Sequence, residues 1–196
     1  MKTAIGTVLL VSLFAQPQVA AAQSAPTTTH VSISPFIGAT FNAGDLAATG
    51  ARTLGVVGGW MGSGWWGLEG DVAEAQGFFT QTAFLTDRRV VTFMGNGVVN
   101  LPMTKRDRAL RVFATGGFGV VRVSLAEAGG LAVVDVKQPG FDVGAGLTWM
   151  KHNIGVRGDV RYFRGMGDEA NDVNAFALNV SALHFVRATA GLAVGF

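Results

Sequence analysis

The feature that most constrains this chain is an apolar–polar alternation with a period of two. It recurs in eight segments, about Val31–Asn42, Arg52–Met61, Trp65–Ala75, Arg89–Leu101, Leu110–Val123, Phe141–Met150, Ile154–Phe163 and His184–Phe196. Successive side chains of a strand point to opposite faces, so this pattern makes strands with one apolar face and one polar face. Each segment is close to the roughly 9–11 residues that a tilted membrane-crossing strand needs. Hydrophobic residues make up 49% of the chain and charged residues 14%, against roughly 25% charged in typical globular proteins. Beyond the N-terminal segment no stretch is apolar for the ~18 residues a membrane helix requires. High apolarity without such a run points to a closed sheet that presents apolar side chains one by one along its strands.

The connections alternate in length. Gly62-Ser63-Gly64, Pro102 to Arg108 and Lys151-His152-Asn153 are short, whereas Ala43–Ala51, Gln76–Arg88, Ser124–Gly140 and Arg164–Leu183 are longer. Short turns at one end and long loops at the other predict an all-β fold, an eight-stranded antiparallel up-and-down transmembrane β-barrel over residues 31–196, with its N-terminus at the periplasmic end. Trp60, Trp65, Trp66 and Trp149 all lie beside a short turn. Indole rings favour the membrane interface, so these four, completed by Phe196, predict a lower aromatic girdle. An upper girdle draws on Phe41, Phe84, Phe141, Tyr162 and Phe163.

Energy decides which face meets lipid. In the seventh segment Ile154, Val156, Gly158, Val160 and Tyr162 share one face, and Arg157, Asp159 and Arg161 share the other. An Arg facing lipid near the midplane costs about 2–4 kcal/mol, so two of them would consume much of a net stability of about 5–15 kcal/mol. The charged face therefore points inward. The same argument turns Glu69 and Asp71 inward opposite Trp66, Leu68 and Val72. It turns Asp142 inward opposite Val143, Ala145 and Leu147, and Arg187 inward opposite Val186, Ala188, Ala190 and Leu192. The predicted lumen network is Glu69, Asp71, Asp142, Arg157, Asp159, Arg161 and Arg187, with glycines at 117, 144, 146, 155 and 191 making room for the long side chains. Eight strands enclose a space that side chains just fill. Buried charges are costly unless paired, so a closed ionic network is expected rather than a continuous water channel.

The N-terminus reads as a secretory signal. Met1-Lys2-Thr3 supplies a cationic start, Ala4 to Ala15 an apolar stretch, and Ala20-Ala21-Ala22 the small residues of a cleavage site. Residues 1–22 are thus expected to be removed, leaving a flexible polar lead over 23–30 ahead of the barrel. Together with the last segment, where Val186, Ala188, Ala190, Leu192, Val194 and the terminal Phe196 share a face, these features resemble the small OmpA-like outer-membrane β-barrel family. The resemblance is architectural and covers essentially the whole mature chain. It implies a bacterial outer-membrane location, with lipids and lipopolysaccharide as surroundings. It also implies that Val194 and Phe196 are read by the barrel-assembly machinery. The peptidoglycan-binding domain that some members carry after the barrel is not expected.

Chemistry on this frame is sparse. The chain has no cysteine and three histidines, which excludes disulfides and thiolate sites. His30, His152 and His184 fall at three separate places, and neither a metal nor another cofactor is expected. A Ser–His lipid hydrolase needs both groups within hydrogen-bond reach. His152 lies in a short turn, and His30 with Ser32 lies at the wrong end. His184 is followed by Phe185 and Val186, so Ser181 or Asp172 would approach it only through loop folding. No enzymatic activity is expected. Gly62-Ser63-Gly64-Trp65-Trp66-Gly67 matches G-x-G-x-x-G, but a dinucleotide site needs a helix to follow, and here another strand follows. Lys105-Arg106-Asp107-Arg108 reads as a solvated turn, not a nucleic-acid patch, and Asp168, Glu169 and Asp172 as a solvated loop. The segment Gly77–Leu85 carries Phe78, Phe79, Phe84 and Leu85. It fits either a partner-binding patch or an upward extension of two strands. The expected role is structural, with extracellular contacts through the loops; a small conduit for small or hydrophobic solutes is the alternative, and a lipid A-modifying enzyme a third reading.

Overall fold

The computed structural model describes residues 30–42, 50–62, 65–77, 85–101, 110–127, 133–167 and 183–196. Eight strands follow in order: β1 (His30–Asn42), β2 (Ala51–Met61), β3 (Trp66–Gln76), β4 (Leu85–Leu101), β5 (Leu110–Glu127), β6 (Val133–Lys151), β7 (Ile154–Gly165) and β8 (His184–Gly195). Each pairs antiparallel with its sequence neighbour, and β8 pairs with β1 to close the barrel. The signal segment 1–22, the lead as far as residue 29, Phe84, the basic turn Lys105–Arg108, the loop acids Asp168, Glu169 and Asp172, and Ser181 lie outside the described residues. So does most of the apolar segment, residues 78–84.

The ladder is staggered. A line of directly opposed residues leaves β8 at Val194 and passes through Ile33, Gly58, Gly70, Gly95, Phe118, Phe141 and Arg164. It returns to β8 at His184, ten residues up the strand. Eight strands with this stagger tilt by about 40°, so each residue climbs roughly 2.5 Å along the barrel axis.

The exterior is an apolar band. Ile33, Ile37, Leu54, Leu68, Phe93, Phe118, Val143, Leu147, Val160 and Leu192 are all exposed on it. Trp60, Trp66 and Trp149 face outward at the short-turn end, Trp65 is exposed in the bend ahead of β3, and the rings of Trp60 and Trp66 meet edge to face at 5.6 Å. At the other end Phe41 is exposed, and Phe141 and Tyr162 share the outward parity. Phe163 corrects the expected upper girdle. It is completely buried in the lumen, stacked on Phe185 at 4.8 Å. Its odd parity in β7 is that of Arg157 and Arg161, and the alternation holds to the end of the strand.

The largest departure from expectation is the height of β4, β5 and β6. The expected loop from Ser124 to Gly140 contracts to residues 128–132, because Ser124–Ala126 pair with Val133–Asp135. Pro139, inside the expected loop, sits on the outward face of β6, opposite Val120. Its carbonyl accepts a hydrogen bond from the Met166 amide at 2.7 Å. Similarly, β4 begins at Leu85, inside the expected loop, with a register irregularity between Leu85 and Asp87. These three strands rise above the rim formed by the others.

Candidate functional site

The lumen is where the charged residues converge. Seven residues, two from β3, one from β6, three from β7 and one from β8, project inward at alternate positions and form one connected cluster. Arg161 lies at its centre with no exposed surface. Its guanidinium is 3.2 Å from Glu69, 3.4 Å from Asp142, 3.4 Å from Asp159 and 3.7 Å from Asp71. Arg157, below it, donates through Nη1 and Nη2 to the two oxygens of Glu69 at 2.5 and 2.8 Å, and through Nε to Asp159 at 3.3 Å. Arg187, above it, donates to Asp71 at 2.5 Å and to the Thr92 hydroxyl at 3.3 Å. Two parallel N–H donors on one carboxylate give the geometry in which an Arg–carboxylate pair is strongest.

Uncharged inward residues complete the cluster. The Thr189 hydroxyl donates to Asp159 at 2.9 Å. The Asn96 amide, oriented to satisfy both neighbours, donates to Asp142 and accepts from Arg161, each at 2.6 Å. The Phe113 ring lies 4.3 Å from the Arg157 guanidinium, and Phe36 and Phe163 lie 5.0 and 4.6 Å from that of Arg187. Such faces attract a cation most where water is excluded. All of these share the inward parity of their strands, which is the signal that finds them. The lumen glycines act more broadly than expected. A Cβ at Gly144 would come within 2.7 Å of Arg161 Cγ, but one at Gly191 would meet Phe36 and one at Gly117 the Asn96 side chain.

A second layer lies above the charges. Val90, Val121, Val123, Phe163, Phe185, Ala51, Ala75 and Met94 form a buried apolar cluster across the upper lumen. Below the charges, at the short-turn end, a vestibule of about 160 Å³ is lined by Ser32, Ser34, Asn100, Arg111 and Thr148, among others, and ends on Glu69 and Arg157. From that end upward the lumen thus passes from an open vestibule to an ionic layer and then to an apolar one.

The remaining candidate residues do not join this cluster. His152 is exposed in the β6–β7 turn, with a positive φ of 59°. His184 faces outward, its ring 6.4 Å from that of Tyr162. His30 opens β1. Gly67 lies in β3, so the glycine motif opens a strand. Among the described residues no group of three or more His, Cys, Asp or Glu side chains could hold a metal ion. Phe196 is exposed, and its amide donates to the Val31 carbonyl at 2.8 Å, pinning the chain end beside β1. Val194, two residues earlier, pairs with Ile33 and Ile154.

An apolar exterior, an aromatic girdle and an ionic interior inside a closed ladder are the features of a small eight-stranded transmembrane β-barrel of the outer-membrane type. Solved structures agree on that fold. Neisserial surface protein A superposes with a TM-score of 0.60 at 12% identity, over 86% of this chain and 97% of that one. The N-terminal barrel domain of Pseudomonas aeruginosa OprF gives 0.54 at 12% identity, over 86% and 100%. The attachment invasion locus protein Ail of Yersinia pestis gives 0.54 at 14% identity, over 86% and 97%. No family model matches the sequence, and no curated protein matches it.

Proposed function

We propose that this chain is exported across the inner membrane, with residues 1–22 removed, and inserted in the bacterial outer membrane as a structural and surface-contact barrel. The observation that carries this reading is the two-layer filling of the lumen. The Arg161-centred network and the apolar cluster above it leave the outer connections and the exterior as the working surfaces. In this reading the exterior meets outer-membrane lipids and lipopolysaccharide, and the outer connections meet extracellular ligands. Val194 and Phe196 present the last strand to the barrel-assembly machinery. It assigns the protein no reaction, no cofactor and no nucleic acid, and a His184→Ala strain is expected to keep its lipid A profile unchanged.

The test is fractionation with unboiled and boiled gels, followed by planar-bilayer recording. A protein of this kind is found in the outer-membrane fraction, migrates faster before boiling and gives no sustained single-channel current. Recovery in a soluble fraction without a heat shift refutes the membrane assignment. A steady conductance in the wild type favours the second reading, a conduit, for which the vestibule ending at Arg157 and Glu69 supplies an inner mouth.

A further inference from the structure

Most of the exterior is apolar, but one outward face is strongly basic. At the base of the raised β4–β6 sheet, Arg89, Arg122 and Lys137 all point outward and are exposed. Arg122 stands directly opposite Lys137 across the β5–β6 ladder, and Arg89 is diagonal to Arg122 across β4–β5. Like charges directly opposite on one sheet face repel, so this arrangement is not explained by sheet stability. Asp135 relieves it in part, accepting from Arg122 through both carboxylate oxygens, and Glu74, outward on β3, stands diagonal to Arg89. Lys137 forms no ion pair among the described residues. Arg164 on the adjoining β7 is also outward and exposed, as is Arg52 farther round the barrel on β2.

Height identifies what this face meets. The residue line that starts at Val194, level with the Trp60–Trp66–Trp149 girdle, regains β8 ten residues higher, and Arg122 lies four residues above that line at Phe118. At roughly 2.5 Å per residue, Arg122 and Lys137 stand ~25–28 Å above the tryptophans. The apolar band of such barrels is ~25 Å tall, so these cations emerge at the level of the outer-leaflet headgroups, pointing away from the barrel.

We infer that the outward face of β4–β6, formed by Arg122 and Lys137 with Arg89 beside them, docks the phosphate groups of outer-leaflet lipids. This rests on the membrane-spanning reading and adds to it a preferred lipid chemistry and a place. The Lys137 ammonium acts on phosphate as a point charge, and the Arg122 guanidinium, whose Nε and Nη2 are held by Asp135, adds its positive charge beside it. Near an anionic surface each such cation is worth up to ~fivefold in association.

The test uses the folded full-length barrel in phosphatidylcholine vesicles doped with spin-labelled phosphatidic acid or spin-labelled phosphatidylcholine. The motionally restricted fraction of each gives their relative association. The wild type should prefer phosphatidic acid, and 1 M NaCl should erase the preference. Arg89→Gln/Lys137→Gln, which keeps the Arg122–Asp135 pair, should lower it at least ~threefold, and by more than Lys151→Gln, which removes a single cation at the opposite end of β6. Unboiled-gel migration checks that each variant is folded. A double variant that retains the preference overturns the inference, as does a wild type that restricts both lipids equally. If neither lipid is restricted and no heat shift is seen, the membrane-spanning reading itself falls, and the inference with it.

Discussion

Replacing Arg161 tests whether the lumen network holds the barrel together. Its guanidinium lies within 3.2–3.7 Å of four carboxylates, those of Glu69, Asp142, Asp159 and Asp71. Arg161→Met removes the charge but keeps an unbranched stem of similar reach. Four acids then face only Arg157 and Arg187. Asp142 loses the one arginine it pairs with and keeps only Asn96. Removing one member of a buried ion pair costs about 3–5 kcal/mol, chiefly because its partner stays buried and uncompensated. Arg161 has several partners, and they retain other cations, so the estimate is the same 3–5 kcal/mol and not a multiple of it. That is a large fraction of a net stability of about 5–15 kcal/mol.

The assay is urea unfolding of the barrel in detergent micelles or short-chain vesicles, followed by tryptophan fluorescence and by the unboiled gel band. Arg161→Met is expected to lower the unfolding free energy by about 3–5 kcal/mol. Asp142→Asn in the same chain removes the orphaned acid and is expected to return about 1–2 kcal/mol of it, because the cost of an unpaired buried group disappears with the group. A single variant within ~0.5 kcal/mol of wild type would refute the reasoning, since that is the range of surface substitutions away from special features. A double variant no better than the single would show that Asp142 is not where the cost resides.

Val160 is exposed midway up the apolar band, so Val160→Arg should destabilise the folded barrel by about 2–4 kcal/mol, and a shift below ~0.5 kcal/mol in the same titration would contradict the outward assignment. His152 holds φ at 59° in a two-residue turn. His152→Gly should therefore raise stability by roughly 0.5–1 kcal/mol, because glycine adopts that conformation without a Cβ clash; a loss would mean the imidazole makes a contact that matters. Phe196 is exposed and contributes its backbone to the β1 edge, so Phe196→Ala should reduce the amount of heat-shifted protein in the outer membrane while leaving the unfolding midpoint of the refolded protein nearly unchanged. An equal fall in both would assign the ring to stability instead.

Much of this architecture was legible because alternation carries two kinds of information at once. It marks a strand, and once one charged face is assigned inward it fixes the facing of every other residue in that strand. Arg157, Asp159 and Arg161 were placed in this way, and Glu69, Asp71, Asp142 and Arg187 by the same rule. Phe163 shows the rule applied inconsistently, since its parity equals that of Arg161 and its aromatic character alone suggested a girdle. The upper limits of β4–β6 were hidden for a different reason. Pro139, Gly140 and the charges at Asp87, Arg88, Arg89, Asp135 and Lys137 are ordinary loop residues by composition. What keeps them in strands is the pairing of each strand with a neighbour of equal height, which is a property of the stagger and not of any one segment. Which inward residues touch, such as Arg157 with Glu69 across the lumen, depends on that stagger too.

The order of layers along the lumen bears on conduction more than the presence of charges does. A network of side chains alone would suggest a gate, because one rearranged arginine could open a water path beside the remaining polar groups. Here the ionic layer is covered above by the stacked rings of Phe163 and Phe185 with Val90, Val121 and Val123 around them. An apolar constriction excludes ions by dewetting whatever the charges beneath it do. Opening a path therefore requires two independent changes. Arg161→Ala should leave the barrel electrically silent, and so should Phe163→Ala/Phe185→Ala, in which the ionic layer still spans the lumen. Only the triple variant, in barrels that still run as folded on the unboiled gel, should give measurable single-channel steps. Current through the Arg161→Ala barrel alone would show that the aromatic layer does not seal. The lumen would then have to be read as a gated conduit, with the ionic network as its gate.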